Sequence, residues 1–146
     1  MSMDFKKRED IYIGNKIDKE NLLENLSYKE FIKICISFTE KFIIDLSKSN
    51  NDYFKEDIYY AKLFLIGKID QEKLKKRRID AWSRYDVLNG IDKYIQRITV
   101  CFLYPDITDL NNNEVDDFQE LFLNLLLDIK DGLCSIFFDF LVEQLD

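Results

Sequence analysis

Apolar residues recur at spacings of three and four along most of this chain, and the places where that rhythm breaks divide it into helices. The clearest stretch follows Ser27. Phe31, Ile34, Cys35, Phe38, Phe42 and Leu46 fall on one face, Ser27 and Glu30 have the spacing of a capping box, and the polar run "SKSNND" ends the pattern. A helix over about 28–47 is predicted. Asp52 is expected to cap the next one, which turns Phe54, Ile58, Ala61 and Leu65 inward and ends at Gly67. A third helix runs from Gln71 to about Leu88. Its inward face carries Leu74, Ala81, Trp82, Tyr85 and Leu88, so the single tryptophan is expected to anchor in the core. Its polar face carries Lys73, Lys76, Asp80 and Arg84, with Asp80 and Arg84 spaced for an i,i+4 pair.

After "LNG", Ile91, Tyr94, Ile95, Ile98 and Phe102 predict a helix over about 92–103, stopped by Pro105. The run "ITVCFLY" is rich in β-branched and aromatic residues and would also suit a strand, but its place in the periodic pattern favours a helix. Phe118, Leu121, Phe122, Leu125 and Ile129 mark a further helix starting near Asn113. Leu133, Ile136, Phe137, Phe140 and Leu141 mark a last one after Gly132. At the other end, "KENLLENL" reads as a short first helix after Gly14 and the turn "NKID". The string "GNKIDKENL" at 14–22 recurs, with one deletion, as "GKIDQEKL" at 67–74. In both copies the aspartate, Asp18 or Asp70, is expected to cap a helix start. With no third copy, a repeat array is not indicated. The pattern therefore predicts an all-α fold, one domain over 1–146, built as a bundle of about six or seven helices.

Composition agrees with the pattern. One proline and four glycines leave little punctuation for an all-β fold and none for a Gly-rich phosphate loop. The three cysteines, Cys35, Cys101 and Cys134, lie far apart inside apolar stretches and read as reduced core thiols, not as a disulfide framework. "MSMDFKKRED" has no apolar leader, and charged residues interrupt every long apolar run, including "LFLNLLLDIKDGLCSIFFDFLV". The expectation is a cytoplasmic protein with no membrane span.

Charge changes the picture more. The net charge of −7 is unevenly spread: residues 105–146 hold eleven acidic side chains against Lys130 alone, a balance of −10, while the first 104 residues balance at +3. The cations of "KLKKRR", Lys73 to Arg78, wrap around their helix without aligning on one face, and an acidic chain repels phosphate, so no nucleic-acid partner is expected. The chain contains no histidine. Ser-His-Asp and Cys-His nucleophile systems and most transition-metal sites are thereby excluded. "DITDLNNNEVDD" lacks the central glycine and terminal glutamate of a calcium loop, and Asp116 and Asp117, adjacent on a helix, diverge by about 100°. No metal, no cofactor and no enzymatic activity are expected.

The phrases "DIYYAKLFLIGKID", "RRIDAWSRYDVLNGID" and "ITVCFLYPDI", together spanning the middle third of the chain, resemble the small all-helical immunity proteins of bacterial contact-dependent and polymorphic toxin systems. The resemblance implies a cytoplasmic protein that binds a cognate toxin domain and blocks its active site. Charge and helix geometry then name the contact residues. If the toxin is a basic nuclease, Asp106, Asp109, Glu114, Asp116, Asp117 and Glu120 are expected to line the interface, standing where phosphates would otherwise lie. The competing assignment of these acids is a solubilising surface beside two very apolar helices. A different class of function, a viral helical modulator of the Bcl-2-like or anti-defence kind, would need an apolar groove edged by exposed Phe or Tyr. Self-association is left open.

Overall fold

The computed structural model describes residues 8–49 and 52–146, and these contain seven α-helices and no strand. They are α1 (Glu9–Lys19), α2 (Tyr28–Phe38), α3 (Asp52–Leu65), α4 (Gln71–Val87), α5 (Ile91–Cys101), α6 (Val115–Ile129) and α7 (Leu133–Leu145). The capping box at Ser27 forms as its spacing requires: the Glu30 amide donates to the Ser27 hydroxyl at 3.1 Å, and the Ser27 amide donates to the Glu30 carboxylate at 3.0 Å. Helical winding continues from α2 through a π turn at Thr39–Ile43 and a 3-10 turn at Ile44–Leu46, so the predicted helix over 28–47 is present but rewound from Thr39 onward. Asp52 is the first residue of α3. The cap position before it lies outside the described residues. "ITVCFLY" is helical up to Cys101.

The N-terminal prediction is overturned. A helix runs through Gly14 and "NKID", and within the segment expected to form a short helix, 19–26, residues 20–25 are turn. Asp18 therefore lies inside α1 and caps nothing, whereas Asp70 caps α4 by accepting from the Lys73 amide at 2.9 Å. The two copies of the string differ in what surrounds them. Ile13 and Ile17, one turn apart and both buried, draw the first copy into a helix packed on α6 and α7. Gly14 permits that packing, because a β-carbon there would come within 3.1 Å of the Gln119 side-chain nitrogen. In the second copy Gly67, at φ +76°, ends α3: its amide and that of Lys68 donate to the carbonyls of Phe64 and Leu63. Asn21, at φ +54°, performs the same closure for α1, its amide and that of Leu22 reaching Asp18 and Ile17.

One connected core joins all seven helices. Its centre is aromatic, with Phe31 and Phe38 of α2, Phe118 and Phe122 of α6 and Phe137 of α7 meeting mostly edge to face at centroid separations of 5.1–6.2 Å. Cys35, Cys101 and Cys134 are free and buried, and burial raises each thiol above its ordinary range. Trp82 is only partly buried, a correction to its expected place in the core. Its indole donates to the Tyr104 hydroxyl at 3.0 Å, and the Arg97 guanidinium lies over its ring. Tyr94 and Ile136, both assigned to inward faces, are exposed.

The polar face assigned to α4 is also corrected. Arg84 makes no pair with Asp80. It reaches Asp57 of α3, which is fully buried and has every strong acceptor position used. Arg84 at 2.6 Å and Arg77 at 2.7 Å donate to one carboxylate oxygen, while Gln96 at 2.8 Å and Thr99 at 3.0 Å donate to the other. Arg78 turns toward α5, donating to the Leu103 carbonyl at 2.8 Å and lying over the Tyr104 ring. Lys73, Lys75 and Lys76 remain in solvent, so the arginines of "KKRR" hold helices together.

Candidate partner-binding face

The first turn of α6 begins with Asp116 and Asp117, where carboxylates meet the unpaired amides of a helix start. One turn later Glu120 follows on the same exposed side. Opposite them lies α1. Asp10 pairs with Asn124 near one end, and Asp18 lies beside Asp116 at the other, so the two helices run antiparallel. Between them is a groove of about 720 Å³. Asp116, Asp117 and Glu120 line it from α6, Asp10 and Asp18 from α1, with Asn15, Gln119 and Asn124 between. Arg8, at the mouth, is the one cation among the described residues lining it.

Asp106, Asp109 and Glu114 are placed elsewhere. They belong to the connection from α5 to α6, in which a 3-10 turn, Pro105–Thr108, leads into an Asn-rich loop. The Asp109 carboxylate accepts from the Asn111 amide at 2.9 Å, and the Asn112 side chain donates to the Asp106 carbonyl at 3.2 Å, which shapes the loop. Asp106 borders a smaller hollow with Tyr28, Arg97, Cys101 and Tyr104. Burial, then the charges of Glu114 and Asp109, raise its carboxyl above the ordinary range, against the pull of Arg78. Burial and then Asp106 push the Tyr28 phenol upward as well. The six predicted residues thus form two sets of three, on either side of Leu121, which lines both hollows.

Sequence reasoning missed Asp10 and Asp18. Asp10 stands three and seven residues before Ile13 and Ile17, so helical spacing places it on the inward side of α1, a signal visible only once "NKID" is read as helix. Asp10 is 7% exposed. Its second oxygen accepts from Asn124 at 3.4 Å, while Oδ1 is buried with no hydrogen-bond partner. Neighbouring Glu9 was missed for the same reason. It crosses to α7, where it accepts from the amides of Gly132 and Cys134 and from the Ser135 hydroxyl.

Among the described residues, no group of three Cys, Asp or Glu side chains converges closely enough to hold a metal ion, and no helix is long and apolar enough to cross a membrane. The exposed tyrosines, Tyr12, Tyr53, Tyr59 and Tyr94, are spread over α1, α3 and α5, and no described phenylalanine is exposed; Tyr53 borders a small apolar hollow of about 250 Å³ with Phe54, Val87 and Leu88. No family model, no curated protein and no solved structure matches this chain.

Proposed function

We propose that this chain is a non-enzymatic immunity protein whose acidic groove between α1 and α6 binds a basic toxin domain, most simply a nuclease, and covers its phosphate-binding surface. The observation that supports the reading is the groove itself: among the described residues, five carboxylates from two helices line it, against Arg8 alone. Like charges gathered on one face weaken the fold by mutual repulsion, and that cost is offset when a basic partner docks. A solubilising surface would be served equally well by acids scattered over the molecule. The resemblance of the middle third to toxin-immunity proteins points the same way. The helices that carry the resemblance, α3 to α5, are held together by Asp57 with its arginines, Gln96 and Thr99, and α5 packs against α6.

The test uses the product of the neighbouring upstream reading frame as the toxin. Asp116→Asn, Asp117→Asn and Glu120→Gln are combined in one variant, and association is followed at several salt concentrations. Electrostatic steering predicts a wild-type rate approaching about 10⁸ M⁻¹s⁻¹ at low salt, falling steeply as salt rises. The triple variant is expected to associate about tenfold more slowly at low salt and with a shallower salt slope. An unchanged rate and slope would remove this groove from the interface.

A further inference from the structure

One buried oxygen of Asp10, Oδ1, has no hydrogen-bond donor, and this narrows what the groove accepts. A buried carboxylate oxygen without a donor is unfavourable, and natural proteins seldom keep one without a use for it. Asp10 lines the α1–α6 groove, and the nearest cation among the described residues, the Arg8 guanidinium, pairs with this oxygen only at 3.8 Å, outside hydrogen-bond range, with its own side chain 61% exposed. Arg8 is thus a loosely held resident of the position. The carboxylates do not converge as metal ligands would. They are strung along the groove: Asp10 and Asp18 are eight residues apart on α1, about 12 Å at 1.5 Å per residue. Two side chains seven residues, about two helical turns, apart on a partner helix are about 10.5 Å apart and come close to that separation.

We propose that the Asp10 end of the groove is a pocket for one arginine side chain on a basic helix of the partner, which displaces Arg8 and donates to Asp10 Oδ1, while a second cation two turns along meets Asp18 and Asp116. This rests on the reading of the groove as the toxin-binding face, and it specifies the occupant. A guanidinium fits the site because it offers several donors in a plane, one for Asp10 Oδ1 and others for the polar side chains that line the groove. In the complex Asp10 Oδ1 then gains the hydrogen-bond donor that Arg8, at 3.8 Å, does not supply.

The probe is a fluorescein-labelled, alanine-rich helical peptide with two arginines seven residues apart, titrated at low salt into the full chain and into three single variants. Asp10→Asn is expected to weaken binding about tenfold, the loss of one charge-assisted contact. Arg8→Gln is expected to tighten it about threefold or more, beyond any gain in Lys33→Gln, which makes the same charge change at an exposed position on α2. The opposite signs keep the test informative: an Asp10 variant that folds poorly cannot account for a gain in the Arg8 variant. Peptide binding indifferent to Asp10, or an Arg8 variant no tighter than the Lys33 control, overturns the pocket. The same variants are assayed against the toxin. If Asp10→Asn leaves toxin affinity unchanged while the triple acidic variant weakens it, the groove remains the interface and the pocket fails. If neither alters toxin binding, the functional reading fails with it.

Discussion

Asp57 is the residue on which the middle of the molecule depends. Its carboxylate is fully buried and receives four donors, two of them from arginines. Such an arrangement adds less to stability than its contact count implies, because both partners surrender hydration, but removing one member strands the others. Asp57→Ala is therefore expected to lower the unfolding free energy by roughly 3–5 kcal/mol, measured by urea denaturation. A loss below about 1 kcal/mol would mean that Arg77 and Arg84 find other partners or water. Asp106 acts in the opposite direction. Its folded-state carboxyl is raised, by burial first and then by Glu114, so the folded chain holds a proton that the unfolded chain, titrating near about pH 3.9, has already released. Stability falls as pH rises through that window, and the full penalty applies above the folded value. Asp106→Asn should accordingly stabilise the protein at neutral pH, and the gain should fade below about pH 4 when both proteins' urea midpoints are compared.

At the scale of elements, α1 decides how the two ends of the chain meet. The start of α7 has no side-chain cap of its own, since Gly132 occupies the cap position. Glu9 supplies one from 123 residues away, accepting from the Gly132 and Cys134 amides at 3.2 Å and from Ser135 at 3.0 Å. A carboxylate at a helix N-terminus also meets the positive end of the helix dipole. Glu9→Ala is expected to cost about 1–3 kcal/mol and to speed amide exchange at the first turn of α7 ahead of α6. Equal protection of that turn in both proteins would show that the cap is dispensable. Asp92 makes a comparable connection at the start of α5. It accepts from the Lys48 amide at 2.8 Å and from the Ser49 hydroxyl, and although burial opposes it, these bonds hold its carboxyl below the ordinary range. In both cases an acid in a helical first turn, which local rules assign to its own helix, serves another element.

Across the whole molecule the charge asymmetry becomes a spatial one. The acidic last third does not stand alone: α6 faces α1, whose own acids extend the groove. The core nevertheless links α1, α6 and α7 continuously to α4 and α5. Unfolding is therefore expected to be a single transition, with the midpoint from Trp82 fluorescence, which reports the α4–α5 side, matching that from far-UV circular dichroism, which reports every helix. An earlier loss of helix signal, before Trp82 responds, would mean that α1 detaches as a separate unit.

Helix periodicity was sufficient to place α2 to α7 and the aromatic core, because a helix that must bury one face writes that face into its own sequence at intervals of three and four. Phe31, Phe38, Phe122 and Phe137 are legible this way, and so is the excess of acid after residue 104. The π turn after Phe38, the course of α1 through Gly14 and the destinations of Arg77, Arg78 and Arg84 were not. Each depends on a partner distant in the chain. Two nearly identical strings became a helix interior in one place and a helix junction in the other, because Ile13 and Ile17 had α6 and α7 to pack against. The same holds for the candidate site. Asp116, Asp117 and Glu120 are visible as charges in the sequence, but only the antiparallel packing of α1 on α6 joins them to Asp10 and Asp18 and separates them from Asp106, Asp109 and Glu114. Composition records how much charge a chain carries, and tertiary packing decides which charges share a groove.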